Sequence, residues 1–287
     1  MAKQFLILNK NYAGNRIQGK RNYQEDDFGF DNSQPNDFLM IVADGMGGHQ
    51  GGAVASSCAV KGFMDTYHAV SGRAATRLYK ALQQANFQLA LKAQSKAELK
   101  GMGCTFVGVA IHDEQLEWIS VGDSPLWLYS AGQLHRLNAD HSMKPLLQEQ
   151  VRRGKLSPEV LAIHPDRNML LSALAGTKIE LIDQSSTPIE LYPDDRVLLA
   201  SDGIFTLSDA EIGKILGKPL PAKKLVNELL KAVNKKGKHA QDNTTVLVVD
   251  ISDEIPPVKK TNFWRWQTGF LLFLFLCSLI LLWATVT

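Results

Sequence analysis

Cysteine is scarce in this 287-residue chain: Cys58, Cys104 and Cys277 are dispersed and odd in number. Their spacing excludes a disulfide framework and a zinc cluster, and points to a reducing, cytoplasmic setting for most of the chain. An excess of either charge is lacking too. Lys and Arg number 31 against 29 Asp and Glu, a net charge of +2, which leaves no basic footprint for nucleic acid. The run Lys235-Lys236-Gly237-Lys238 is a solvated loop or a small anion contact. Internal repeats and low-complexity tracts are absent. So is an apolar secretory core at the N-terminus, where Phe5–Leu8 stops at Asn9 and Lys10 and reads as a first strand.

The C-terminal stretch has the opposite deficit, since no charged residue occurs from Trp266 to Thr287. As a helix, residues 269–286 would span roughly 27 Å at about 1.5 Å per residue, close to a hydrocarbon core about 30 Å thick. No polar stripe marks the segment as an amphipathic core helix. Lys259, Lys260 and Arg265 precede it and no positive charge follows, which predicts a single-pass span with the large domain in the cytoplasm. Trp264, Trp266 and Trp283 fall where interfacial anchors sit. The expected division is a domain at 1–253, a juxtamembrane linker at 254–265 containing Pro256-Pro257, and a transmembrane helix at 266–287 in contact with lipid.

Within the first division, apolar segments at Phe38–Ala43, Thr105–His112, Leu116–Val121, Leu126–Ser130, Arg196–Ala200 and Thr244–Ile251 predict strands. Ala53–His68, Ala74–Ser95 and Pro221–Asn234 predict helices. Asp113-Glu114 and Ala131-Gly132 are spaced as hairpin turns. Antiparallel sheet with segregated helices follows, an α+β layered fold.

Acidic residues cluster at the ends of these strands: Glu25-Asp26-Asp27, Asp44-Gly45, Asp123, Asp202-Gly203 and Asp242-Asn243. Each alone is compatible with a turn or a helix cap. Together, with few His or Cys nearby, they suit hard cations such as Mg²⁺ or Mn²⁺. Two such ions can activate a water and hold a phosphate for in-line attack.

Five motifs in order resemble the PPM, or PP2C, phosphatases, specifically their bacterial branch. They are Gly19–Asp26 with Arg21 four residues before Glu25, Val42–His49 with Gly51-Gly52, Gly122-Asp123-Ser124, Ala200–Gly203 and Asp242–Thr245. The resemblance covers about residues 15–251. It implies an αββα sandwich of two mainly antiparallel sheets flanked by helices, and hydrolysis of phosphoserine and phosphothreonine by metal-activated water at a binuclear Mn²⁺ or Mg²⁺ centre. It further implies that Asp44 bridges both ions, that the Gly45 carbonyl ligates one, and that Asp202 and Asp242 complete the first site. Glu25 and Asp26 would serve the second ion and Asp123 a third, weaker one. Arg21 would grip the substrate phosphate, the alternative being an ion pair with Glu25.

Some features depart from the family or stay open. Pro125 stands where members usually carry Arg, and Ala53 where they carry Glu. Met46 replaces the His of eukaryotic relatives, leaving His49, His141 or water as proton donors, with structural hydrogen bonds as the alternative for both histidines. Cys58 and Cys104 are expected to be packed, not nucleophilic. The flap Met143–Arg167, with Arg152, Arg153, Lys155 and Arg167, would steer acidic phosphopeptides or form a solvated face. The implied partners are phosphoprotein substrates and an opposing bacterial Ser/Thr kinase, at the inner membrane. The competing reading is a non-catalytic, phosphoprotein-binding membrane scaffold on the same fold.

Overall fold

The computed structural model describes residues 11–34, 36–47, 50–237 and 239–251. The Phe5–Leu8 strand, His49, the linker and the apolar C-terminal segment lie outside these residues. In chain order the described residues form β1 (Tyr12–Ile17), β2 (Asp26–Gln34), β3 (Asp37–Met46), α1 (Gln50–Tyr67), α2 (Ala74–Ser95), β4 (Gly103–Cys104), β5 (Phe106–His112), β6 (Gln115–Val121), β7 (Leu126–Ser130) and β8 (Gln133–Arg136). There follow α3 (Lys144–Arg152), α4 (Pro158–Ile163), β9 (Asp183–Gln184), β10 (Ile189–Glu190), β11 (Arg196–Ala200), α5 (Asp209–Leu216), α6 (Ala222–Lys236) and β12 (Thr244–Asp250). A 3₁₀ turn at Asp202–Thr206 follows β11. No helix among the described residues is long and apolar enough to cross a membrane.

One sheet runs β1-β12-β11-β7-β8 and the other β10-β6-β5-β3-β2, with β9 on β6 and β4 on β3. The pairings are antiparallel. Two-residue hairpins connect several of them. Asp113 and Glu114 both take positive φ (45° and 70°), as do Ala131 and Gly132 (49° and 80°). Positive φ at both central residues matches the twist of the flanking strands.

Alternation along the strands builds a four-layer sandwich. Phe38, Met40 and Val42 of β3 pack with Val197 and Leu199 of β11 and Leu247 and Val249 of β12. Leu39, Ile41 and Ala43 face the other way, onto Ala59 and Phe63 of α1 and Leu78 and Leu82 of α2. Leu198 and Val248 likewise turn outward onto Leu225, Val226 and Leu229 of α6. Strands covered on both faces explain the unbroken apolar run 38–43, and side-chain period two explains the division between layers. The observed β3 is longer than the predicted segment. Its last residues carry Asp44 and Gly45 beyond the packed layers.

Candidate active site

Three strand ends meet at one edge of the sandwich. Asp26, opening β2, stands opposite Asp44 in the β2–β3 register. The Asp44 N–H donates to Thr105 Oγ1 (3.2 Å), and the Thr105 N–H donates to the Asp44 carbonyl (2.9 Å). The Gly45 N–H donates to the Glu25 carbonyl at 3.1 Å. A Cβ on Gly45 would lie 2.3 Å from the Gly52 carbonyl oxygen and 2.4 Å from that of Glu25, so only glycine lets these segments approach. Asn243 ties the motifs together. Its Oδ1 accepts from the Glu25 N–H (2.8 Å), while Nδ2 donates to the carbonyls of Gln18 (2.8 Å) and Tyr23 (2.9 Å).

Arg21, Glu25, Asp44, Asp123, Asp202 and Asp242 line a cavity of about 260 Å³, with Gly45 on its wall. Arg21 Nη2 donates to Asp242 Oδ2 at 2.5 Å and is the one basic side chain lining the cavity among the described residues. Burial drives three of these carboxyls, Asp44, Asp123 and Asp202, above the ordinary aspartate range, and repulsion from neighbouring carboxylates adds to it. Asp202 is pushed up to about 8, by burial and then by Asp123, Asp242 and Asp26. Asp44 is raised well above the usual range, by burial and then by Asp26, Asp202, Asp123 and Asp242. Asp123 reaches about 6 through burial and then Asp140.

Asp26 lies beneath the cavity instead of lining it. Ser201 Oγ and Thr245 Oγ1 both donate to its Oδ2 at 2.7 Å. Its buried Oδ1 has no hydrogen-bond partner. Burial raises Asp26 to about 6, although the two hydroxyls oppose the shift. An orphaned carboxylate oxygen, together with repelling carboxylates facing a single guanidinium, fits divalent cations bound through oxygen. No three Asp, Glu, His or Cys side chains are gathered into a ready-made cage among the described residues. Mg²⁺-like ions that retain several waters do not require one.

The sequence profile described as Protein phosphatase 2C matches residues 13–247. The chain belongs to this family. It is 34% identical over 236 residues to the Serine/threonine phosphatase stp of Listeria welshimeri, covering 80% of this chain and 91% of the relative. The structure of the phosphatase Stp1 from Staphylococcus aureus superposes with a TM-score of 0.74 at 28% identity, covering 86% of this chain and 97% of that one. The catalytic domain of the serine/threonine protein phosphatase PstP in complex with two manganese ions gives 0.69 at 28% identity, covering 84% and 97%.

Against this phosphatase 2C background the expected residues sort clearly. Arg21, Glu25, Asp44, Gly45, Asp123, Asp202 and Asp242 share one cavity, and Asp26 supports it from below. Arg21 pairs with Asp242, and the charge of Glu25 also acts on its guanidinium. His141 has a structural bond: its Nδ1 accepts from the Gly122 N–H at 3.3 Å, and burial lowers its pKa. Burial pushes the thiols of Cys58 and Cys104 up, as packed cysteines require. In the flap, Glu149 pairs with both Arg152 (2.5 Å) and Arg153 (2.6 Å), reducing the charge available for steering. The sequence pattern does not single out Thr105 and Asn168, which line the cavity, or Ser201 and Thr245, which hold Asp26. Ser201 and Thr245 stand inside motifs already singled out, whereas Asn168 carries no local signal. Beside Pro125, Arg136 of β8 donates to the Asp123 carbonyl at 3.1 Å.

Proposed function

We propose that this chain is a serine/threonine protein phosphatase that hydrolyses phosphoserine and phosphothreonine on proteins with Mn²⁺ or Mg²⁺. The observation that carries the reading is the convergence of five carboxylates on one 260 Å³ cavity with Arg21 at its rim. Asp44 would serve two ions and the Gly45 carbonyl one of them, with Asp202 and Asp242 completing the first site, Glu25 and Asp26 serving the second, and Asp123 a weaker third ion. When bound, the ions supply Lewis acidity and lower the pKa of water. The chain's own residues do the rest. Thr105 and Asn243 fix the strand ends through the backbone, and Ser201 and Thr245 hold Asp26 by one oxygen, leaving the other for an ion or its water. Arg21 offers a planar fork to two phosphate oxygens, and Asp242 keeps that fork at the cavity mouth. The non-catalytic scaffold reading required loss of the acidic set, and the set is intact.

The expected setting remains part of this proposal. The uncharged segment after Trp266 supports a single membrane span with the phosphatase domain, 1–253, on the cytoplasmic side. Tethering would concentrate the enzyme near membrane-associated phosphoproteins and the Ser/Thr kinase it opposes. The test is phosphate release from a phosphothreonine peptide by the full chain in detergent. Release is expected with Mn²⁺ or Mg²⁺ and none in excess EDTA. Equal turnover in EDTA would end the proposal.

A further inference from the structure

Four cationic and aromatic side chains join elements that carry different parts of the site. Phe205 lies three residues after Asp202, in the 3₁₀ turn. The Arg136 guanidinium carbon lies 5.5 Å from its ring centroid, and Lys144 Nζ lies 4.6 Å from it. Lys144 opens α3, the first helix of the flap. Trp127 of β7, 1% exposed, meets the Phe205 ring edge-on at 6.0 Å and lies 5.6 Å from the same guanidinium.

Arg136 also reaches the other acid turn. Its Nη2 donates to the Asp123 carbonyl, and its Nε donates to Asn138 Oδ1 at 3.0 Å. Asn138 Nδ2 donates to the Ser124 carbonyl at 2.9 Å, and Ser124 Oγ is 2.7 Å from Thr105 Oγ1, which accepts from the Asp44 N–H. A continuous set of contacts therefore runs from Lys144 through Phe205 and Arg136 to the backbone of Asp44. Pro125 cannot donate a side-chain hydrogen bond beside Asp123. Arg136, from the neighbouring strand, supplies a guanidinium there.

We propose that Phe205 and Arg136 are positioning residues that clamp the Asp202 turn to the Asp123 turn, with Lys144 fastening the start of the flap to the same clamp. The inference rests on the phosphatase reading of the cavity. A cation attracted to a ring face gives a contact with a preferred geometry, and small displacements of groups around a reacting phosphate are costly in rate.

The test uses the full chain with Phe205→Leu, which removes the aromatic face, and Arg136→Lys, which keeps charge but loses the fork. Phe205→Tyr is the conservative control. Each is measured with p-nitrophenyl phosphate and with a phosphothreonine peptide, beside Mn²⁺ calorimetry and thermal unfolding. Phe205→Leu and Arg136→Lys are expected to lower kcat about ten-fold on both substrates, with KM unchanged, and to weaken the weakest Mn²⁺ isotherm several-fold. Phe205→Tyr should restore both. A rise in peptide KM alone would overturn the proposal in favour of direct substrate contact. So would unaltered kcat and Mn²⁺ binding per folded molecule. If the parent chain releases no phosphate, the phosphatase reading fails, and the Mn²⁺ isotherms still decide the clamp.

Discussion

Strand β3 and the flap border the same site and are held in opposite ways. From Phe38 to Ala43, β3 is at most 1% exposed and is packed on both faces. The flap helices have a single buried side chain between them, Leu147 of α3, and none in α4. The flap is fastened at its ends, where the Met143 N–H donates to the Met169 carbonyl (2.9 Å) and the Leu171 N–H to that of His141 (2.8 Å). The contrast has a physical logic. Carboxylates forced together against their own repulsion need rigid backbone beneath them. A segment that faces varied peptides gains from weak packing, because low local stability permits adjustment.

The largest effect should come from the rigid side. Asp44→Asn is expected to lower phosphate release roughly 10³-fold. In EDTA the same variant should melt higher than the parent, since a buried repelling carboxyl becomes a neutral amide. Activity above a tenth of the parent would remove Asp44 from the centre of the site. For stability, Ile41→Ala in β3 should cost about 2–5 kcal/mol by urea unfolding. Ile163→Ala in α4, where the side chain is 82% exposed, should stay within about 0.5 kcal/mol. Similar costs at the two positions would erase the comparison.

This division also governs what could be seen in the sequence. Strand periodicity and strand-end acids are local features, so β3, β5, β6, β11 and β12 and the cavity's carboxylates were legible. Arg136 was not. Its position on β8 is unremarkable in the chain, and its contact with Asp123 depends on the β7–β8 hairpin folding back beside the Gly122 turn. The demotion of Asp26 from the cavity wall was equally invisible. It follows from two hydroxyls of the opposite sheet, Ser201 just after β11 and Thr245 in the adjacent β12.

The acid cluster sets a pH dependence of defined sign. Asp26 and Asp123 are raised to about 6 and Asp202 to about 8, from an ordinary value of 3.8. The folded state therefore binds protons more tightly than the unfolded one, and this stabilisation is lost as pH rises through the folded values. Melting temperature in EDTA should fall from about pH 4 to about pH 8 as these three carboxyls ionise, and Asp44, raised in the same direction, adds to the fall. Mn²⁺ binds the ionised carboxylates, so the gain in melting temperature on adding Mn²⁺ should grow over the same window. A gain independent of pH would mean that these carboxyls are not the ones the ion meets.

The smallest effect belongs to the flap's surface charge. Arg152 shares Glu149 with Arg153, and its side chain is 74% exposed. Such pairs are worth about 0–1 kcal/mol and are screened by salt. Removing Arg152 leaves Glu149 still paired with Arg153, so the local field changes little. Arg167 differs, because it lines the adjoining cleft that shares Asp123, Asp202 and Asp242 with the acid cavity. Arg152→Gln should therefore alter kcat/KM for an acidic phosphopeptide by less than about two-fold, whereas Arg167→Gln should lower it a few-fold at low salt, an effect that fades at high salt. Equal losses from both variants would place steering in the flap's overall charge. Loss confined to Arg167 would place it in the cleft, beside the rigid frame.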